Sequence, residues 1–231
     1  MRLTDEQIEL YSRQIILREV GGTGQSALRA ARVLVLGTGP AAAICVSYLV
    51  GAGVGKVESP STSPEEAAAA DLLPLPEPAR RTADAAVHAV ERRRTGGEPA
   101  APYDVVLDLA YGTAADAHAH PLVAARLGSI VLHSAGGAFR LALLPRGTGC
   151  GACIGLAGSP AEHDPTPPPV IASASAGALA ALACCDWLLG IGEHRTARVL
   201  ALTAGSGLWI DAPLPARTPC PRGCPPPAEP V

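Results

Sequence analysis

The chain has 231 residues, of which 48% are hydrophobic and 17% are charged, which is enough apolar sequence for one globular domain with a full core. Its net charge is −3 and its isoelectric point is about 6.1, so charge gives no case for binding nucleic acid or an anionic membrane. Lysine occurs once, at Lys56, and asparagine does not occur, which excludes any mechanism that needs a second lysine or an asparagine.

The beginning of the chain is predicted to be helical. Thr4 is placed to cap a first helix with Gln7 at the capping-box position, and Gly21 and Gly22 are expected to stop that helix. Residues 25–31 are predicted as a second short helix. The polar N-terminus has no apolar segment of the secretory type, so we expect a cytoplasmic protein.

A strand–turn–helix unit follows. Arg32–Leu36 is a continuous apolar run, typical of a buried parallel strand, and it ends in Gly37-Thr38-Gly39. Residues 41–50 are predicted as a helix, and Lys56–Glu58 as only a short second strand.

Strands and helices continue to alternate in the rest of the chain. The predictions are a loop over 59–78, helices over 80–94, 114–127 and 173–189, and strands over 104–109, 129–133, 139–144, 199–203 and 208–210. This alternation predicts an α/β fold with a Rossmann-like, doubly wound, mostly parallel sheet. The apolar run over 170–185 is short for a membrane span and rich in alanine and serine, so we expect a buried helix and no membrane contact.

The turn after the first strand is a candidate phosphate site. Gly37 and Gly39 allow the backbone to approach a phosphate, and the helix N-terminus stabilises its charge. The complete nucleotide fingerprint has a third glycine, but Pro40, Ala41 and Ala42 follow here, and Pro40 lacks an N–H donor. The motif alone is therefore a weak indication of nucleotide binding.

Four cysteines stand in two close pairs. Cys150 and Cys153 have C-x2-C spacing, and Cys220 and Cys224 have C-x3-C spacing, each within a Gly/Pro-rich stretch. Four thiolates complete a tetrahedral Zn²⁺ site with no open position, so the pattern predicts a structural zinc that clamps the tail to the core. The alternative is two redox pairs or unconnected thiols.

The other cysteines and the histidines give weaker indications. Cys45, Cys184 and Cys185 fall in apolar helical segments, where buried and inert thiols are expected. His133 is the best placed histidine, because sites in α/β sheets lie at the carboxyl ends of strands. A histidine in the core or rim of the sheet is the simpler interpretation.

Several of these segments together resemble the ThiF/MoeB/HesA family, relatives of ubiquitin-activating enzymes. The resemblance is carried by Leu3-Thr-Asp-Glu-Gln, Tyr11-Ser-Arg-Gln-Ile-Ile, Gly24-Gln25, the strand that begins at Arg32, and Ala52-Gly-Val-Gly-Lys56. It resumes in residues 103–108, in the helix after residue 173 and in the terminal cysteine pairs. The chain is therefore expected to form one ThiF/MoeB-like domain over 1–231, with N-terminal helices (1–31), a nucleotide-binding-type half (32–144) and a zinc-bearing half (145–231).

The resemblance implies a dimeric adenylyltransferase that uses Mg·ATP to activate the C-terminal glycine of a small ubiquitin-like or sulfur-carrier protein or peptide. Some members then form a thioester or persulfide on a cysteine. By the same resemblance, Arg13 matches an arginine that reaches into the nucleotide site of the dimer partner. A guanidinium there would stabilise charge on the transferring phosphates.

The chain departs from the family pattern where ATP would bind. Glu58 is the nearest candidate for the acid that would hold the ribose, and the family's Asp-x-x-x-x-Asn-x-x-Arg-Gln segment is replaced by residues 59–71. The lysine expected on the next helix is missing. Ala110-Tyr111-Gly112 replaces the metal-side Thr-Asp-Asn, with Asp108 kept as a cofactor-binding candidate, and the loop over 165–175 has no catalytic cysteine.

These losses count against binding of ATP and Mg²⁺. If each contact contributes about 1–3 kcal/mol as a charge-assisted hydrogen bond, the combined loss removes most of a micromolar affinity of about 8 kcal/mol. We therefore expect a catalytically degenerate member that forms a homo- or heterodimer and lends Arg13 to an active partner. Two alternatives stay open: an active adenylyltransferase in which His133, Arg140 or the arginines of 80–94 replace the lost groups, and a small-molecule binding module of a biosynthetic cluster.

Overall fold

The computed structural model describes residues 3–37, 39–59, 103–109, 125–135, 138–148, 170–192, 196–203 and 208–214. In chain order its elements are α1 (Asp5–Leu10), α2 (Ser12–Ile15), α3 (Gly21–Ala30), β1 (Arg32–Leu36), α4 (Pro40–Gly51), β2 (Lys56–Glu58), β3 (Val105–Asp108), β4 (Gly128–Ala135), β5 (Ala138–Pro145), α5 (Val170–Leu189), β6 (Arg198–Thr203) and β7 (Leu208–Pro213). The predicted loop over 59–78, apart from Ser59, and the predicted helix over 80–94 lie outside these residues.

The strands form one seven-stranded sheet in the order β2-β1-β3-β4-β5-β6-β7. The strands β2, β1, β3 and β4 pair in parallel. The pairs β4–β5, β5–β6 and β6–β7 are antiparallel. Because two reversals restore the direction, β6 runs with the first four, and five of the seven strands share one direction. The predicted α/β class with a mostly parallel sheet is confirmed, and the short β2 pairs with β1 in the sheet.

The N-terminal helices follow the prediction at their start and differ from it at their end. The Gln7 backbone N–H donates to Thr4 Oγ1 (3.3 Å) and the Thr4 N–H donates to Gln7 Oε1 (3.1 Å), so the capping box is present. The helix breaks at Tyr11 and a second short helix follows. The prediction that Gly21 and Gly22 stop a helix was wrong: they begin α3, where Gly21 at φ +57° turns the chain into the new helix.

The main core lies on one face of the sheet, beneath α3, α4 and α5. Alternate strand residues point to this face, and those that are buried in it include Val33, Val35, Val105, Leu107, Ile130, Leu132, Phe139 and Leu141. The residues between them form a second buried cluster on the opposite face, which includes Leu34, Leu36, Val106, Val131, Ala142 and Leu144. Burial of both faces explains why these strands read as continuous apolar runs.

The helix α5 is long and apolar enough to cross a membrane, but half of its most apolar window is buried inside the protein. It packs against α4, and its buried residues belong to the main core. The sequence-based prediction of a buried helix is therefore confirmed. Of the predicted helix over 114–127, only residues 125–127 are described, and these are not helical.

The contact between α4 and α5 depends on a glycine. A Cβ atom at Gly177 would overlap the carbonyl oxygen of Ala41, in the first turn of α4, and would lie 3.0 Å from the Ala41 carbonyl carbon. Backbone therefore meets backbone at this point. The contact fixes the start of α4 directly after the turn at Gly37 and Gly39.

The change Gly177→Ala should lower the free energy of unfolding by about 1–3 kcal/mol, because the helices must move apart to admit the methyl group. Gly22→Ala in α3 is the matched control, since its Cβ would meet no atom within 4 Å. That control should raise the free energy of unfolding by about 0.4–1 kcal/mol. Urea unfolding followed by far-ultraviolet circular dichroism measures both, and equal effects would contradict the close contact.

Three cysteines stand in the helices α4 and α5. Cys45 and Cys184 are fully buried in the main core, and Cys185 packs against it. Burial raises the pKa of the Cys45 and Cys184 thiols well above the ordinary value of 9.0. Burial, with a smaller contribution from Asp186, raises the pKa of Cys185 to about 12. The expected burial is confirmed for Cys45 and Cys184, whereas Cys185 is only partly buried.

These thiols should make the protein lose stability at alkaline pH. A thiol whose pKa is raised by folding ionises first in the unfolded chain, so its contribution is intact below about pH 9 and is lost as the pH rises toward 12. Each such thiol costs about 1.4 kcal/mol per pH unit inside that window. Urea unfolding at pH 8 and pH 11 should show a smaller alkaline loss for Cys185→Ala than for the wild type; an identical loss would count against the raised pKa.

Candidate functional site

The sheet order places a crevice beside β1. The chain leaves β1 through α4 to reach β2 on one side, whereas β3 and β4 lie on the other side of β1. The direction of winding therefore reverses between β1 and β3. In open α/β sheets, ligands bind outside the carboxyl ends of the strands at such a switch point. Gly37 directly follows β1, and Asp108 ends β3 in register with Leu36, so two predicted site residues meet at this edge.

The turn after β1 has the backbone form that the sequence predicts. Gly37 has φ +114° and Gly39 has φ +93°, values that side-chain-bearing residues rarely adopt, and Gly39 is the N-cap of α4. Pro40 occupies the first helical position, where its fixed φ suits the helix. It also removes one of the N–H donors by which a helix start holds a phosphate.

The two acidic candidates lie on the same face of the sheet. Glu58 is in register with Leu34, and Asp108 with Leu36, and both belong to the set that faces away from the main core. Asp108 is almost entirely buried, with 1% exposed. The side chain of Glu58 is 12% exposed.

The carboxylate of Glu58 is held by donors of its own chain. The Tyr103 hydroxyl donates to Oε2 at 2.5 Å, Lys56 Nζ lies 2.9 Å from Oε1, and Arg32 Nη2 lies 3.4 Å from Oε1. The Arg32 guanidinium also stands over the Tyr103 ring, 5.3 Å from its centroid. We refer to Glu58, Arg32, Lys56 and Tyr103 as the Glu58 cluster. These charge-assisted contacts hold the residue that the sequence offers as a ribose ligand. Because Arg32 begins β1 and Tyr103 precedes β3, the cluster lies toward the amino ends of the strands, away from the carboxyl edge at Gly37 and Asp108.

The residues around this cluster attach it to the sheet. The Arg32 backbone N–H donates to Asp104 Oδ2 at 2.8 Å, and the Arg126 N–H donates to the Tyr103 carbonyl at 2.9 Å. Arg126 Nη1 also lies 3.6 Å from Asp104 Oδ1. The cluster therefore joins β2, β1 and the segments that lead into β3 and β4.

The family-like segments at the beginning of the chain meet in a buried joint. Gln25, fully buried, donates from Nε2 to the Ala52 carbonyl at 3.0 Å. Gly53 has φ +86°, and a Cβ there would lie 2.6 Å from Gln25 Nε2 and 2.7 Å from Tyr11 Cζ. A Cβ at Gly55 would overlap the Arg29 carbonyl oxygen. We call Tyr11, Gln25, Gly53 and Gly55, with Ala52, the Gln25 joint.

The Gln25 joint explains why these segments occur together in the sequence. The turn between α4 and β2 is pressed against α2 and α3 so closely that only glycine fits at two positions. Sequence reasoning did not identify this contact. The paired glycines at 53 and 55 were the signal, because each marks a close backbone approach.

Arg13 lies on α2 with its side chain exposed. Within the described part of the chain it forms no ion pair. Three large apolar side chains of the same N-terminal segment are also exposed: Ile8 (46%), Ile16 (80%) and Leu17 (51%).

The remaining predicted site residues are described in part or not at all. His133 is in β4, in register with Arg140 of β5, whose side chain is exposed. The four predicted zinc ligands Cys150, Cys153, Cys220 and Cys224, together with residues 110–112, lie outside the described residues. Among the residues that are described, no group of three potential metal ligands occurs.

The chain is similar over a short stretch to adenylyltransferases. It is 47% identical over 57 residues to the sulfur carrier protein adenylyltransferase of Thermus thermophilus, a match that covers 25% of this chain and 21% of that protein. It is 49% identical over 55 residues to the molybdopterin-synthase adenylyltransferase of Salmonella typhimurium, which covers 24% and 22%. The matched stretch thus spans about a fifth of these relatives. No protein-family model matches the chain.

The fold is similar to solved structures over nearly the whole chain. Escherichia coli MccB, solved with MccA-N7isoASN, has a TM-score of 0.61 and 14% identity, covering 93% of this chain and 74% of that chain. PaaA has a TM-score of 0.59 and 13% identity, covering 91% and 84%. The adenylyltransferase matches and this shared Rossmann-like fold support the resemblance of the chain to the ThiF/MoeB-like family.

Proposed function

We propose that this chain is a catalytically degenerate ThiF/MoeB-like subunit, which pairs with a family relative and lends Arg13 to the relative's active site. The proposal is carried by one contrast within the described structure. The Gln25 joint packs the N-terminal helices against the α4–β2 turn, whereas Glu58, a candidate ATP ligand, is engaged by donors of its own chain.

Three features of the candidate ATP-binding residues count against nucleotide binding. Pro40 removes a phosphate donor, Glu58 is engaged by three donors of its own chain, and Asp108 is buried. The sequence supplies no second lysine and no asparagine to replace them. Because these contacts act together on one nucleotide, their joint loss lowers its affinity more than any single loss would.

The exposed position of Arg13 supports a role in contact with another molecule. An arginine without an ion pair in the described part of its own chain has its full set of donors available to phosphate or carboxylate oxygens. The exposed Ile8, Ile16 and Leu17 on the same segment are suited to burial against a partner subunit.

The names of the similar proteins indicate the class of substrate. The curated relatives are adenylyltransferases for a sulfur carrier protein and for molybdopterin synthase, and MccB has been solved with ATP and with MccA. For this chain we infer a small carrier protein or peptide as the molecule that the pair would bind. A homodimer and a heterodimer with an active relative remain the two assemblies to compare.

One observation favours a second candidate function. His133 and Arg140 are register partners at the carboxyl end of β4, where a site in this kind of sheet is expected. An active adenylyltransferase with a remodelled site would use groups of this kind in place of the lost lysine and asparagine.

The proposal predicts that the isolated chain neither binds Mg·ATP nor catalyses ATP–pyrophosphate exchange. Calorimetric titration up to millimolar nucleotide should give no saturable heat. Exchange should appear with an intact family relative and a Gly-Gly-ending carrier, and Arg13→Ala in this chain should lower that exchange by about 10³-fold or more, as expected for an arginine finger.

Arg18→Ala is the matched control, because Arg18 is an exposed arginine of the same segment. It should leave the exchange rate of the pair unchanged. Tight ATP binding and exchange by the chain alone would favour the remodelled enzyme. A pair that keeps its full rate with Arg13→Ala would contradict the lending of this arginine.

We also propose that Cys150, Cys153, Cys220 and Cys224 bind one structural Zn²⁺, on the strength of their spacing in the sequence. Metal analysis of the purified chain should give about one Zn²⁺ per chain. Cys150→Ser should lower that content and the melting temperature, since the site contributes folding energy. Cys185→Ser, outside the set, should leave the zinc content unchanged; equal zinc in both variants would contradict the site.

A further inference from the structure

We infer that Glu58 does not hold a nucleotide ribose in this protein and that it is the centre of a clamp that keeps β2 in the sheet. In nucleotide-binding sheets of this type, an acid after the second strand accepts hydrogen bonds from the ribose hydroxyls. Glu58 is the nearest acid in the sequence, but it is the last residue of β2 itself and pairs in register with Leu34, two residues before β1 ends, so it lies short of the carboxyl edge. The inference concerns one of the candidate ATP ligands of the proposed function, but it requires no partner subunit.

The carboxylate of Glu58 already has a hydrogen-bond donor and two ion-pair partners in its own chain. One phenol and two cations surround it, at 2.5 Å from Tyr103, 2.9 Å from Lys56 and 3.4 Å from Arg32. With 12% of its side chain exposed, little of Glu58 is reachable by a ligand. A ribose would have to displace the Tyr103 hydroxyl, and the displaced donor would then lose a charge-assisted bond.

The contacts of the clamp also attach β2 to the sheet, which a ribose bound to Glu58 would not do. β2 is only three residues long and lies at the edge of the sheet, with β1 as its neighbour. The cluster adds contacts from β2 to Arg32 in β1 and to Tyr103 before β3. A short edge strand held by three backbone pairings gains its fixed position from these side-chain bonds.

The first arm of the test is thermal stability. Tyr103→Phe removes the hydroxyl and keeps the ring under Arg32, and we expect it to lower the melting temperature by about 4–8 °C. Tyr48→Phe is the matched control, since Tyr48 is 47% exposed and its hydroxyl forms no hydrogen bond within the described residues. It should shift the melting temperature by less than about 1 °C.

A double-mutant cycle assigns the effect to the bond itself. Glu58→Gln and Tyr103→Phe should each lower the melting temperature, and the double variant should lower it by clearly less than the sum of the two. Additive shifts, or a Tyr103→Phe shift equal to that of Tyr48→Phe, would overturn the clamp.

The second arm measures ligand binding with adenosine and AMP. The wild type should give no saturable binding to adenosine, and Glu58→Gln should not change the result for either ligand. Adenosine binding by the wild type that Glu58→Gln abolishes would show that Glu58 holds a ribose and would overturn the inference.

The two arms separate this inference from the proposed function. If the chain binds ATP and Glu58→Gln does not change the affinity, the proposal of a degenerate subunit is wrong and the clamp is still supported. If the chain neither binds nor uses ATP and the two melting-temperature shifts are additive, the clamp is wrong and the proposal of a degenerate subunit is still supported.

Discussion

The close packing of the α4–β2 turn against the N-terminal helices is the contact on which the rest of the fold depends. Gly53 and Gly55 bring backbone within reach of Gln25, Tyr11 and the Arg29 carbonyl, where no side chain fits. The Gln25 side chain satisfies the Ala52 carbonyl in a fully buried place, which is what a turn in the core requires. With this joint in place, β2 enters the sheet beside β1 and the switch point between β1 and β3 is defined.

The segments that resemble the family and the candidate ATP ligands make different kinds of contact. The N-terminal segments that carry the family resemblance are packing segments, since Tyr11, Gln25 and Gly53 meet in the Gln25 joint. Of the residues that the sequence offers as ATP ligands, Glu58 contacts Tyr103 and Lys56, and the start of α4 after the glycine turn packs against Gly177. A protein can keep such a scaffold for pairing or peptide binding, because both use surface rather than the nucleotide edge.

Much of the fold could be predicted from local sequence. The capping box at Thr4, the apolar run at Arg32–Leu36, the small-residue helix around Gly177 and the terminal hairpin are signals that arise within a few residues, and the structure confirms them. The misplaced helix stop at Gly21 shows the limit of such signals. A glycine marks a change of chain direction, but whether a helix ends or begins there depends on what the chain packs against.

The sequence by itself determined the family resemblance, the α/β class, the single lysine and absent asparagine, and the glycine turn after β1, because each is a matter of residue type and spacing. Only the tertiary structure decided which groups Glu58 contacts, since its partners Arg32 and Tyr103 are 26 and 45 residues away along the chain. It also decided that Gln25 and Gly53 meet, and that the carboxyl ends of β1 and β3 form the switch point. Hydrogen bonds and close backbone contacts between distant segments produce no periodic pattern in the sequence of either segment. They can therefore be recognised only in the folded structure.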